Sequence, residues 1–168
     1  MNIPHLRRRC LTGLSALALS ITTAACSGTD DEASVVVPSP DAKAAGLCRD
    51  LHEQLPEKVD GLGRTDPGPK SELTAGWGDP AIILRCGVPR PPKMIDLSYA
   101  PKNGVKVNGV AWLLEKRDDG SYTFTTGARL AYVEVTLPEE RTAEGLGPLT
   151  DFAGPVKKTI PTGIAASS

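Results

Sequence analysis

Residues 109–137 read GVAWLLEKRDDGSYTFTTGARLAYVEVTL. Three runs rich in β-branched and aromatic residues, 109–116, 121–125 and 129–137, are separated by Asp119-Gly120 and Thr126-Gly127. A tight turn between strands needs positive φ, which Asp-Gly reaches at little steric cost, so this spacing predicts a β-hairpin. In the third run Ala131, Val133, Val135 and Leu137 alternate with Tyr132, Glu134 and Thr136. A period of two with one apolar side is the pattern of a half-buried strand. Asn103-Gly104 and Asn108-Gly109 mark further turns, and the second half therefore reads as antiparallel sheet.

Working outward, 81–88 (AIILRCGV) reads as the best strand of the first half. Its alternation puts Ile82, Leu84 and Cys86 on one face and Ile83 with Arg85 on the other. The region before it, 57–79, is rich in Gly, Pro and polar residues and reads as loop, with a short strand near 59–64. Ser39-Pro40-Asp41 reads as a helix start: hydroxyl cap, Pro in the first turn, then an acid. Ala44, Leu47, Cys48, Leu51 and Leu55 follow at helical spacing, so Cys48 lies on the apolar face, and Pro56 ends the helix. Gly46 costs this helix about 1 kcal/mol, which leaves it dependent on packing. At the other end Leu146, Leu149, Ala153, Val156 and Ile160 predict a C-terminal amphipathic helix, against the propensities of Gly147, Pro148, Gly154 and Pro155. The predicted fold is α+β, an antiparallel sheet with two helices packed on one face and one disulfide.

The N-terminus carries an address. Arg7-Arg8-Arg9 precede an apolar stretch at 11–21 and then Thr22-Thr23-Ala24-Ala25-Cys26, the three-part plan of a secretory signal. The apolar stretch is shorter than the roughly 20 residues of a permanent span. Ala24-Ala25-Cys26 resembles the end of a bacterial lipobox, with Thr23 where an aliphatic residue is usual; in such signals the Cys is lipidated and becomes the first mature residue. Thr23-Ala24-Ala25 also fits ordinary signal cleavage, and the arginine triplet fits twin-arginine as well as general export. Cysteine arithmetic favours the lipobox. Cys10 leaves with the signal, and lipid on Cys26 leaves Cys48 and Cys86 to pair in an oxidising compartment. The predicted organisation is a lipoprotein signal at 1–25, a disordered polar tether at 26–40, one α+β domain at 41–162 and a disordered tail at 163–168. Val35-Val36-Val37 within the tether fits either an edge strand or a sticky linker.

The chain of 168 residues is 40% hydrophobic, 23% charged and 4% aromatic, a length that suits one modest domain. From Cys26 onward it holds 16 Lys and Arg against 20 Asp and Glu. Without a basic run, an acidic surface of this kind argues against nucleic acid as partner. His52 is the one histidine after the signal, and Ser71, Ser98 and Ser121 lack the G-x-S-x-G context of a nucleophile elbow. No C-x-x-C, H-E-x-x-H or D-x-D-x-D-G spacing offers a metal site, and no glycine-rich loop suits a phosphate. Neither catalytic residue nor metal nor cofactor is therefore expected. Trp77, Arg85 and Arg90, close together in GWGDPAIILRCGVPRP (76–91), could instead form an aromatic and cationic binding face.

The run WGDPAIILRCGVPRP, the upstream Cys48 on a helix ending at Leu55-Pro56, and the lipobox together resemble an actinobacterial lipoprotein family, domain of unknown function 3515. The resemblance covers roughly residues 44–160. It implies an exported, membrane-tethered protein of high-GC Gram-positive bacteria and supplies no activity, ligand or catalytic residue. The expected function is that of a lipid-anchored extracytoplasmic protein at the outer face of the cell membrane. It would be held there through Cys26 and serve as a non-catalytic binding or interaction module for an envelope protein or cell-wall component. An assembly role in the envelope is the main alternative, and a hydrolase built on His52 the lesser one.

Overall fold

The computed structural model describes residues 34–165, so the signal, Cys26 and most of the tether lie outside the described residues, as do 166–168. In chain order the elements are α1 (Ala42–Gln54), β1 (Lys58–Val59), β2 (Leu62–Gly63), β3 (Thr74–Trp77), β4 (Ile82–Cys86), α2 (Ala100–Asn103), β5 (Gly104–Val107), β6 (Val110–Lys116), β7 (Tyr122–Thr126), β8 (Val133–Leu137) and α3 (Gly147–Thr159). β1 and β2 form a small hairpin; the other six strands form an antiparallel sheet in the order β3-β4-β8-β7-β6-β5. The predicted α+β class, with one disulfide, is the observed one.

Asp41, two residues after the predicted Ser39, caps α1: its carboxylate accepts from the N–H groups of Lys43 and Ala44 at 2.8 and 3.0 Å. Carboxylate capping satisfies donors that have no partner inside the helix. Pro40 instead packs over Gly87, where a Cβ would come 2.5 Å from the ring. Leu55 ends α1 in extended backbone, as a residue before proline must. The face of α1 that carries Ala44, Cys48 and Leu51 is buried, and so are Leu149, Phe152, Ala153 and Val156 of α3. Together they cover the sheet face formed by Trp77, Ile82, Leu84, Cys86, Trp112, Phe124, Val133 and Val135. Every residue of this core lies between Ala44 and Ile160.

Cys48 and Cys86, both 1% exposed, are joined with Cα atoms 5.5 Å apart. The bond closes a loop of 38 residues between α1 and β4.

Three local readings are corrected. The segment 57–79, expected as loop with a short strand near 59–64, holds extended residues there as the two arms of the β1–β2 hairpin, turned by Asp60 and Gly61 at φ 50° and 80°, and the unexpected strand β3 besides. Asn103-Gly104 is no tight turn: it joins α2 to β5, with Gly104 at φ −82°. Tyr132 is 6% exposed although expected on the solvent side, because it precedes β8, where strand alternation does not yet apply. Segments that the sequence assigns to the tether and the tail also bond to the domain. Val35 donates to the Gly68 carbonyl at 2.9 Å, the Val36 carbonyl accepts from Arg85 at 3.3 Å, and Gly163 donates to the Ala128 carbonyl at 3.1 Å.

Breaking the disulfide by Cys48→Ala with Cys86→Ala is expected to remove about 4 kcal/mol of stability through loop-closure entropy. The melting temperature should fall by about 10 °C or more, read by circular dichroism against the oxidised chain.

Candidate functional site

The three residues expected to share a binding face do not share one. In the antiparallel register Trp77 stands opposite Ile82 on the helix-covered side, whereas Arg85 stands opposite Glu134 on the other. Trp77 is fully buried; its Nε1 donates to the Pro56 carbonyl at 2.9 Å, and its ring meets Phe152 at 5.0 Å between centroids. A ring and its N–H satisfied in this way are structural. Arg85 is tied to Glu134, with Nη2 and Nε at 2.6 and 3.0 Å from one carboxylate oxygen. Only Arg90 is exposed. The signal that misled was chain proximity: seven residues of strand and turn place neighbours in sequence on opposite faces.

Where Trp77 reaches the edge of the core, the structure opens a depression of about 530 Å³ lined by His52, Arg64, Asp66, Lys70, Ser71 and Glu72. His52 comes from the last turn of α1, and Arg64 follows β2. Thr65 donates to the Gly76 carbonyl at 2.8 Å and so lays this segment along the edge strand β3. Arg64 is the hub. Its guanidinium lies 5.1 Å over the Trp77 ring, its Nε is 2.5 Å from Asp66 Oδ1, and its Nη2 is 3.3 Å from His52 Nε2. Because guanidinium nitrogens only donate, His52 Nε2 must accept, which requires the neutral ring with its proton on Nδ1. Burial, and then the adjacent Arg64 charge, push the His52 pKa below its usual 6.5 and so favour that neutral form.

This geometry places His52 and Ser71 on one cleft without making a nucleophile and base of them. The Ser71 hydroxyl accepts from the Leu73 N–H at 3.1 Å. Asp66, which a triad would need on the histidine, is bound to Arg64 instead. What the cleft presents is two cations, two carboxylates, a hydroxyl and a neutral imidazole, a lining suited to holding a polar ligand by several hydrogen bonds. Among the described residues no group of three or more His, Cys, Asp or Glu side chains could hold a metal ion. Sequence reasoning reached His52 and missed Arg64, Asp66, Lys70 and Glu72, which lie in a segment with no periodic pattern. The available signal was Arg64-Thr65-Asp66: in extended backbone, residues two apart point the same way.

The second charged depression, about 370 Å³ around Lys93, Glu115 and 116–119, sits at the β6–β7 turn. There the Ser121 hydroxyl and N–H hold the Asp119 carboxyl below the usual carboxylate range. Asp119 is thereby a turn residue, in keeping with its predicted place at a hairpin tip.

Two expectations follow. Arg85→Ala leaves Glu134, whose side chain is 13% exposed, without its partner and should cost about 1–2 kcal/mol in denaturant unfolding. The double variant with Glu134→Ala should cost less than the sum of the single ones. For His52 the folded pKa lies below the unfolded one, so the unfolded chain takes up the proton first as pH falls through 6.5. Stability should therefore decline on acidification through this window, and His52→Gln should flatten that part of the melting-temperature profile.

A family model described as protein of unknown function DUF3515 matches residues 10–165. No curated protein and no solved structure matches the chain. The match spans the described domain from its first helix to its last, with the Cys48–Cys86 bridge and the Arg64 cleft inside it, and the chain belongs to the DUF3515 family.

Proposed function

We propose that the protein is an exported, lipid-anchored binding module of the cell envelope, tethered through Cys26 and acting without catalysis. The observation that carries this reading is the disulfide between two fully buried cysteines, joined across the core. Structural disulfides of this kind persist in oxidising compartments outside the cytoplasm. The basic and apolar N-terminus ending in Ala24-Ala25-Cys26 supports the same address. Binding rather than catalysis is supported by Arg64, which occupies both the His52 nitrogen and the Asp66 carboxylate that a hydrolytic site would use. The ligand class that suits the cleft is a small polar or zwitterionic group, met by Lys70 and Glu72 at its rim.

The test is the intact mass of membrane-extracted protein, measured with thiol labelling before and after reduction. The expected result is a lipid increment on Cys26 and two labels that appear only after reduction. An unmodified Cys26 would remove the anchor, and two labels without reduction would remove the oxidised compartment.

A further inference from the structure

We propose that the sheet face opposite α1 and α3 is a docking surface for an anionic phospholipid bilayer, centred on the connection between β4 and β5. This connection crosses the outer face. Lys93 Nζ lies 3.5 Å from Glu115, which points to that side, and a Cβ on Gly104 would meet the Ala100 carbonyl of α2 at 3.1 Å. On it Ile95 and Leu97 stand 62% and 91% exposed. A third exposed apolar side chain, Val36 at 76%, belongs to the segment lying on the same face beside Ile83 and Thr136. Isolated exposed leucines are ordinary on soluble proteins; three apolar side chains on segments that share one face, two of them in a basic setting, need a reason.

Charge supplies the reason and the partner. Residues 89–107 hold Arg90, Lys93, Lys102 and Lys106 against Asp96 alone, while the rest of the chain from Cys26 holds twelve cations against nineteen acids. Lys93 is paired with Glu115, and Arg85 on the same face with Glu134, so the positive excess rests on Arg90, Lys102 and Lys106, which are exposed. Exposed apolar side chains on a segment with an excess of Lys and Arg enter the headgroup layer of an anionic membrane, where each basic residue strengthens binding about fivefold. The sign stands out on an otherwise acidic molecule and calls for an anionic partner, which a bilayer at the end of the tether supplies. The geometry of the chain agrees. Val35 and Val36, the chain's approach to the domain, lie beside Ile83 and Thr136 of this face, and the eight residues from 34 back to Cys26 span at most about 28 Å. The proposal takes from the functional reading only that Cys26 is held at a membrane, so that the tether delivers this face to the lipid.

The experiment uses the chain from residue 26 onward, which contains the whole described core, with Cys26→Ser so that no lipid is attached. It is co-sedimented with vesicles of phosphatidylglycerol and phosphatidylcholine, and with vesicles of phosphatidylcholine alone. The expected result is binding to the anionic vesicles only, weakened by raised salt. Ile95→Ser with Leu97→Ser, and separately Lys102→Glu with Lys106→Glu, should each reduce it by about tenfold or more. Lys157→Glu with Lys158→Glu, the same charge change on α3, should reduce it much less. Equal loss in that control, equal binding to neutral vesicles, or no binding to either would overturn the proposal. So would a concentration-dependent dimer that Leu97→Ser abolishes, which would assign the patch to a second copy of the chain. Because the protein carries no lipid, failure here is separate from failure of the anchor, which the intact mass reads on its own.

Discussion

One covalent bond, Cys48 to Cys86, pins α1 to the second strand of the sheet, and the rest of the molecule is arranged around that pin. An isolated helix of thirteen residues with a glycine inside it is not stable in water, so α1 persists because the sheet holds it. With α1 fixed, α3 has a partner along its flank as well as a sheet beneath it. This tolerates Pro155 within the helix, since packing of Phe152, Ala153 and Val156 outweighs one lost backbone bond. The domain is poor in aromatics, and its largest buried side chains, Trp77, Trp112 and Phe152, all lie in the layer between sheet and helices.

The cleft is a by-product of that layer. Trp77 fills the space between β3 and α3, and its outer edge is covered by the Arg64 guanidinium instead of by another apolar side chain. A cation placed there is partly desolvated and draws in counter-groups, Asp66 on one side and the neutral His52 ring on the other. The core thereby dictates the polarity of the cleft. Trp77 shapes the cleft only at second hand, by positioning Arg64.

Hydrophobic alternation carried most of the architecture. It revealed β4 and β8, with their inward and outward faces, and it put Cys48 and Cys86 where they meet. It failed where tertiary pairing replaced local pattern. β3 contains two small residues and no apolar alternation, yet its register against β4 makes it a full strand. The Asp60-Gly61 turn had the same chemistry as Asp119-Gly120 but lacked flanking strands long enough to display a period. The site was less legible still, since its members come from α1 and the Pro-rich loop after β2, and backbone bonds of Thr65 with Gly76 and of Gly78 with Gly63 bring them together. Trp77 and Arg85 were conspicuous by residue type, but type does not tell which face of a strand a side chain takes.

The two ends of the six-stranded sheet are unequal. At β3 the chain closes its own edge: Thr65 and Gly78 exchange backbone bonds with Gly76 and Gly63, so no row of donors is left for a neighbour there. At β5 the edge is four residues long, begins with Gly104, and carries the charge of Lys106. Many copies crowded onto one plane would meet edge to edge far more often than in free solution, and strand-to-strand zipping is the hazard of such crowding. A short, lysine-bearing edge disfavours that zipping wherever copies of the chain come close together.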